Sequence, residues 1–186
     1  MPTMTTTQNT TLPLVAGRWA LDTNHSSVSF AIRHLGVSKV RGRFDDFETD
    51  VIVGPTLAET SVTATIALAS IDTANADRDA HVRSEEILDV ASRPTMTFRS
   101  TSIDGAGDEW TLAGELTIGS VTRPFSLALE LGGVQEFPGD GFRHAGFEAT
   151  GELRRSDFGI APGIPAAMLG DIIKVQLDVQ LLEPTN

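Results

Sequence analysis

Cysteine is absent from the chain. This absence excludes disulfide scaffolds, zinc sites built on thiolates, cysteine nucleophiles and iron–sulfur clusters. Exported and cytosolic proteins can both lack cysteine, so the absence predicts no compartment. Any functional site must be built from other side chains.

Positive charge is also scarce, with 14 Lys and Arg against 25 Asp and Glu and a formal net charge of −11. The longest basic clusters are the pairs Arg154-Arg155 and Arg41-x-Arg43. A protein that binds phosphate backbones needs a cationic footprint, so nucleic-acid binding is disfavoured. Electrostatic docking on an anionic membrane is disfavoured for the same reason. We interpret the negative charge as a source of solubility.

Long apolar runs are missing as well. No window reaches the roughly 18 apolar residues of a membrane-spanning helix, so no stable membrane insertion is expected. Residues 1–17 carry no basic residue and no apolar core of a secretory signal, which predicts a soluble, cytoplasmic protein. This Thr-rich segment lacks periodicity and is predicted to be a disordered tail. Residues 18–186 are then one domain, as expected for 186 residues.

The chain does contain repeated alternation of apolar and polar residues, the pattern of strands with one buried face. Turn-forming residues at 104–107, 119–120 and 137–141 predict hairpin connections. No strand precedes a long helical pattern, which excludes parallel βαβ units. The sequence therefore predicts an all-β protein of about eight or nine strands, closed into a barrel or stacked as two sheets. The clearest strands cover residues 28–32, 62–68, 110–118, 125–131, 145–153 and 173–181.

Two segments break this pattern. Residues 77–90 are polar and free of glycine, which predicts one or two short helices, with Ser84 as an N-cap and Pro94 ending the segment. Residues 158–170 are apolar but rich in Gly and Pro. This loop either forms a flap over a barrel opening or packs on the outer core, and the sequence does not choose between the two.

Catalytic motifs are absent: there is no G-x-S-x-G, no P-loop and no H-E-x-x-H. His25 and His34 are nine residues apart and would face opposite sides of one unbroken strand, so a shared metal is disfavoured. Asp79-Ala80-His81 is the sole close carboxylate–histidine pair in the sequence. No metal, cofactor or catalytic set is therefore predicted. His34 continues the apolar row of Val28 and Ile32. It is either the polar end of a ligand pocket or a histidine whose hydrogen bonds are satisfied at the end of the strand.

Several blocks in order resemble the YceI-like, polyisoprenoid-binding family. The opening block is WALDTNHSSVSFAIRHLG at 19–36, followed by GRFDDF at 42–47. The central block is IDT at 71–73, RDAHVRS at 78–84 and ILDV at 87–90, with Pro94, Thr97, Phe98 and Ser100. LAGELTI at 112–118 with Thr122-Arg123, RSDFG at 155–159 and the strand from Gly170 to Leu181 complete the resemblance.

This resemblance implies a lipocalin-like antiparallel barrel of eight strands around an apolar tunnel for an isoprenoid or similar long-chain amphiphile. It also implies a tendency to form a homodimer. Many members of the family carry a signal peptide, which is not recognisable here. A lipid carrier or sequestering protein that is not an enzyme is the expected function, since about 0.8 kcal/mol per buried methylene lets a tail bind without specific polar contacts.

Candidate ligand-binding residues are the apolar side chains of inward parity, together with His34 and two residues of the 158–170 loop. Two other functions stay open: a pocket enzyme with His34 or His81 as base or metal ligand, and an interaction module whose loop docks a protein. The candidate set is Phe30, Ile32, His34, Phe44, Phe98, Leu116, Phe125, Phe147, Phe158 and Met168.

Overall fold

A computed structural model describes residues 11–185. Residues 1–10 of the predicted Thr-rich tail therefore lie outside the described residues. In the remainder of that segment, Leu12 is buried and Leu14 packs against the core. Both residues precede residue 18, where the predicted domain starts.

Strands make up most of the described chain. A single α-helix and four short 3-10 turns complete the described elements. The strands are β1 (Gly17–Leu21), β2 (Ser27–His34), β3 (Ser38–Phe44), β4 (Phe47–Val53), β5 (Ser61–Ala67), β6 (Ile71–Asp72), β7 (Thr95–Ala106), β8 (Glu109–Ile118), β9 (Val121–Glu136), β10 (Arg143–Arg154) and β11 (Leu169–Leu182). The helix is α1 (Ala76–Arg83), and the 3-10 turns are Thr23–His25, Leu57–Glu59, Leu68–Ser70 and Arg155–Phe158.

Eight of the strands close into an antiparallel barrel. Their order is β1-β4-β5-β7-β8-β9-β10-β11, and β11 returns to β1 where Leu21 pairs with Leu181. Closure leaves this ring without a free edge, which would otherwise expose unpaired backbone groups. The predicted all-β, lipocalin-like barrel is confirmed.

Three further strands extend the barrel at one end. β2 pairs with residues 169–178 of β11, β3 pairs with β2, and β6 pairs with β3. β1 and β2 both pair antiparallel with β11, β4 and β3 pair with β1 and β2, and β5 and β6 pair with β4 and β3. The pairs β1/β2, β3/β4 and β5/β6 therefore each follow the line of one long strand with a single interruption. The first interruption is the turn Thr23–His25, so the unbroken strand assumed between His25 and His34 is wrong.

The alternation in the sequence becomes the inside and outside of the barrel. In β8, Trp110, Leu112 and Leu116 are buried, while Thr111 and Glu115 are exposed between them. Each such buried apolar side chain contributes about 1.5–3 kcal/mol. The core is therefore the barrel interior.

The predicted turns at 119–120 and 137–141 are confirmed. Gly119 has φ +61°, a left-handed conformation that glycine adopts without steric cost. The third turn lies later than predicted. β7 runs to Ala106, and the chain reverses at Gly107-Asp108, because Gly105 still pairs with Trp110.

The helical segment is shorter than predicted. Asn75 is the N-cap of α1, where its side chain accepts the Arg78 amide. Ser84 was predicted as an N-cap but is the C-cap, and its amide donates to the His81 carbonyl. Residues 85–94 form turns around Asp89, at φ +53°, instead of a second helix. No helix within residues 11–185 is long and apolar enough to cross a membrane.

Candidate functional site

Two apolar cavities adjoin each other inside the protein, and we call the two together the tunnel. The inner cavity, of about 160 Å³, lies within the ring of eight strands. The outer cavity, of about 310 Å³, lies between β2, β3, α1 and the 158–170 loop. Four side chains line both cavities and form what we call the waist: Val28, Met96, Leu153 and Val175.

The inner cavity is almost wholly apolar. Thr49 and Thr60 are the only polar residues among its described lining. The Thr60 hydroxyl is satisfied by backbone groups of the loop after β4. The Thr49 Oγ1 is buried and has no hydrogen-bond partner within residues 11–185. Leu12 and Leu14, from the segment before β1, also line this cavity.

Three charged or titratable side chains line part of the outer cavity, and we call that part the mouth. His34, Arg78 and His81 line this cavity beside apolar residues. The His81 Nε2 lies 2.8 Å from a carboxylate oxygen of Glu86. Arg78 donates to the Thr73 hydroxyl and carbonyl oxygens at 2.8 and 2.6 Å. The mouth thus offers imidazole and guanidinium groups next to an apolar tunnel.

Nine of the ten candidate residues line the tunnel. Phe158 does not: it is 2% exposed and lies in the core, outside both cavities. Its predicted role in closing the opening is corrected, because the 3-10 turn Arg155–Phe158 packs the ring into the core. The outer cavity holds Phe30, Ile32, His34, Phe44 and Met168, and the inner cavity holds Phe98, Leu116, Phe125 and Phe147.

Sequence reasoning missed several lining residues. The inward row of β11 was visible in the alternation but was not proposed as lining. Met96 shares the parity of Phe98 on the same strand but was not proposed, whereas Arg78 gave no such signal, because strand parity does not apply to a helix. The missed β11 row is Val175, Leu177, Val179 and Leu181.

Glycines let the aromatic rings lie flat against the barrel wall. Gly42 is paired with Phe30 across β2 and β3, and a Cβ on Gly42 would lie 2.5 Å from the Phe30 ring. A Cβ on Gly114 would likewise lie 2.5 Å from the Phe98 ring. Because these glycines have no side chain, each ring lies where a Cβ would otherwise be, and less of the cavity is filled by the ring.

Helix α1 is fixed beside the outer cavity by a buried polar network. The Thr73 amide and hydroxyl both donate to one carboxylate oxygen of Asp79, at 2.8 and 2.5 Å. The hydroxyl bond from Thr73 holds the pKa of the Asp79 carboxyl below its ordinary value. Arg83 adds bonds to the carbonyls of Ala69 and Ile71. The helix is therefore attached to the strand below it at both ends.

The 158–170 loop is held by Arg155, which is 4% exposed. Its guanidinium and Nε donate to five carbonyl oxygens of the loop and of β11, at 2.7–3.2 Å. Ile164 and Met168 of the same loop line the outer cavity. The loop is thus an anchored part of the wall. The five acceptors belong to Ile160, Ala161, Ile164, Leu169 and Gly170.

The other histidines are engaged in local pairs. His25 lies 2.8 Å from Asp22, and His144 lies 2.9 Å from Asp140. The sequence neighbours Asp79 and His81 do not pair, since they bond to Thr73 and Glu86. In the part of the chain that the structure describes, no three His, Asp or Glu side chains are grouped as metal ligands.

The family model for the YceI-like domain matches residues 19–181. The chain belongs to the YceI-like family. Protein YceI of Salmonella arizonae is 40% identical over 168 residues, which cover 88% of this chain and 87% of that protein. Protein YceI of Salmonella enteritidis matches over the same shares at the same identity.

Solved structures share the YceI-like barrel. The Campylobacter jejuni YceI protein superposes with a TM-score of 0.74 at 31% identity, over 83% of this chain and 91% of that one. A domain of Saccharophagus degradans described as polyisoprenoid-binding has a TM-score of 0.68 at 15% identity, over 91% and 100%. This second likeness shows the fold alone.

Proposed function

We propose that the tunnel binds one long-chain amphiphilic lipid of the isoprenoid type, with its tail inside and its polar head at the mouth. The carrying observation is the arrangement of the tunnel: two adjoining apolar cavities, of which only the outer one is lined by the charged or titratable side chains His34, Arg78 and His81. A tail gains about 0.8 kcal/mol for each methylene buried. Shape and burial alone can therefore hold such a ligand.

The family supports this choice of ligand. The chain is a YceI-like domain, and the Saccharophagus degradans domain of the same fold is described as polyisoprenoid-binding. The proposed role is that of a soluble carrier or sequestering protein in the cytoplasm, acting as a homodimer. Sedimentation of the purified protein tests the dimer, and cell fractionation tests the location.

Native mass spectrometry of freshly purified protein tests the ligand directly. We expect one bound amphiphile per chain, released by organic solvent and identified as a polyprenyl or similar long-chain lipid. A protein that is empty after gentle purification, and that does not bind added prenols, would contradict the proposal.

A matched pair of variants tests the tunnel as the site. Val175→Phe places a ring in the waist, whereas Gln176→Phe places the same ring on the outer surface of the same strand. We expect the first to weaken binding of long prenols much more than short ones, because only long tails must pass the waist. Equal binding by both variants would place the ligand elsewhere.

A pocket enzyme is the second candidate, favoured by the His81–Glu86 pair at the mouth. Such a pair can act as a general base towards a ligand held in the outer cavity. The expected sign is turnover of a lipid ester that is lost in His81→Gln while lipid binding persists. Binding without turnover would leave the carrier as the function.

A further inference from the structure

The hairpin between β2 and β3 carries exposed apolar side chains beside the mouth. Leu35 and Val37 are 53% and 80% exposed, and Met168 is 53% exposed. The Leu35 amide donates to the Met168 carbonyl, so the tip of the hairpin lies beside the 158–170 loop. Single exposed apolar residues are ordinary, but a cluster at the opening of an apolar tunnel indicates a contact surface.

The backbone of this hairpin makes the leucine unusual. Leu35 has φ +54° and Gly36 has φ +70°, the two positive angles of a type I′ turn. Asn, Asp or Gly is preferred at the first of these positions, because a branched side chain crowds the following carbonyl. The protein thus keeps an exposed leucine where a polar residue would suit both the turn and the solvent.

The outer face behind this apolar tip is cationic. Arg33 and Lys39 are directly opposite each other, and Arg41 and Lys174 both flank Ala31 on neighbouring strands. Both lysines of the chain lie in this patch. Like charges directly opposite across a strand pair are destabilising, so this arrangement also works against the fold.

Most of this positive charge is not neutralised locally. Among the ion pairs within residues 11–185, none involves Arg33, Lys39 or Arg41. Lys174 of β11 is directly opposite Glu152 of β10. The net charge of −11 therefore hides a local basic patch. Charges are screened beyond about 8–10 Å in physiological salt, so acidic groups at the far end of the barrel matter little here.

We propose that the β2–β3 hairpin docks the protein on the surface of an anionic lipid bilayer, with Leu35 and Val37 entering the headgroup region. Arg33, Lys39 and Arg41 lie next to this tip and complement the negative surface of the bilayer. Docking there places the mouth at the membrane, which, resting on the proposed function, is where an amphiphile enters or leaves. This proposal differs from the expectation, drawn from net charge, that anionic membranes are avoided, because it rests on the charge of this face alone.

Vesicle sedimentation with the full chain tests the docking. The vesicles are phosphatidylcholine alone, or an equimolar mixture of phosphatidylcholine and phosphatidylglycerol. We expect binding to the anionic vesicles only, weakened by salt. The triple variant R33Q/K39Q/R41Q should lose about fivefold per cation, roughly a hundredfold in all.

A matched triple variant, R99Q/R123Q/R143Q, makes the same change in net charge on other parts of the barrel. Its binding should stay within a few-fold of the original chain. Equal loss in both triples would show that net charge alone matters and would overturn the proposal.

The variant Leu35→Asn/Val37→Ser separates docking from folding. Asparagine suits a left-handed turn, so thermal stability should rise or stay while vesicle binding falls at least tenfold. Unchanged vesicle binding would overturn the role of the tip. Dissociation of a dimer by this variant would also overturn it, because the tip would then be an interface between two copies of the chain.

Loading with a prenol added from solution keeps the two proposals apart. All these variants should load as the original chain does, because none of the changed residues lines the tunnel. A chain that loads prenol but ignores anionic vesicles overturns the docking and leaves the proposed function standing.

Discussion

Arg155 is predicted to be the residue on which the order of the mouth depends most. It is buried, has no carboxylate within ion-pair distance among the described residues, and is satisfied by five backbone carbonyls. Replacing it by Met keeps much of its volume and removes every one of these bonds. The acceptors are main-chain groups, so no second substitution can compensate for them.

The loss of stability depends on whether water can replace arginine as the donor to each carbonyl. The bonds to Ile160 and Ala161 are buried, whereas those to Ile164, Leu169 and Gly170 are only partly buried and can be replaced by water. A buried acceptor left without a partner costs about 1–3 kcal/mol. Two of them give about 4 kcal/mol, which for a chain of this size lowers Tm by about 8–16 °C.

Thermal and urea unfolding followed by tryptophan fluorescence measures this loss, since Trp19 and Trp110 are both buried. Arg154→Met is the matched control next in sequence. Its guanidinium is exposed and lies 3.5 Å from Asp171, an ion pair that is worth at most about 1 kcal/mol. Equal losses in the two variants would refute the reasoning, because the five carbonyls would then need no arginine.

Three further predictions concern the lumen and the helix. Gly42→Ala should push the Phe30 ring into the outer cavity, costing about 1–3 kcal/mol and weakening prenol binding. A Cβ at Gly146 would meet no atom within 4 Å, so Gly146→Ala should change neither stability nor prenol binding. Equal losses in the two variants would show that displacement of the Phe30 ring is not the cause. Thr49→Val should raise Tm by about 2–4 °C, because it removes a buried unpartnered hydroxyl worth about 1 kcal/mol; an unchanged Tm in a thermal melt would mean that the hydroxyl is paired. Because the pKa of Asp79 is lowered, its stabilising effect is full above its unfolded pKa of about 3.9 and is lost as pH falls through the folded value. Acid unfolding below about pH 4 should thus be shallower in Asp79→Asn, and parallel curves would contradict this.

The barrel was predictable because alternation directly reports which side of a strand is buried. The alternation places Trp110, Leu112 and Leu116 on one face of a strand, and in the structure all three are buried on the inner face of β8. The interruptions were not predictable in the same way. The turn Thr23–His25 depends on the Asp22 side chain accepting the Asn24 amide, a local bond that competes with strand continuation and leaves the alternation unchanged.

The site was partly predictable for the same reason. Strand residues such as Phe98 and Phe125 follow parity, whereas Phe158 lies in a loop where no period applies. Arg154 and Arg155 are identical in type and adjacent in sequence, yet one is exposed and the other is buried among carbonyls. Arg155 shares the inward parity of Leu153, but the carbonyl groups that it binds lie mostly on the following loop, whose path alternation does not predict.

The waist also has a kinetic consequence for any ligand that threads it. A tail that enters the inner cavity from the mouth and leaves by the same route passes Val28, Met96, Leu153 and Val175 twice. Each additional methylene buried there adds about 0.8 kcal/mol to the work of withdrawal, or about a fourfold longer residence time. Short and long ligands that enter at similar rates would then differ in residence time, and the tunnel would select ligands by tail length through their dissociation rates.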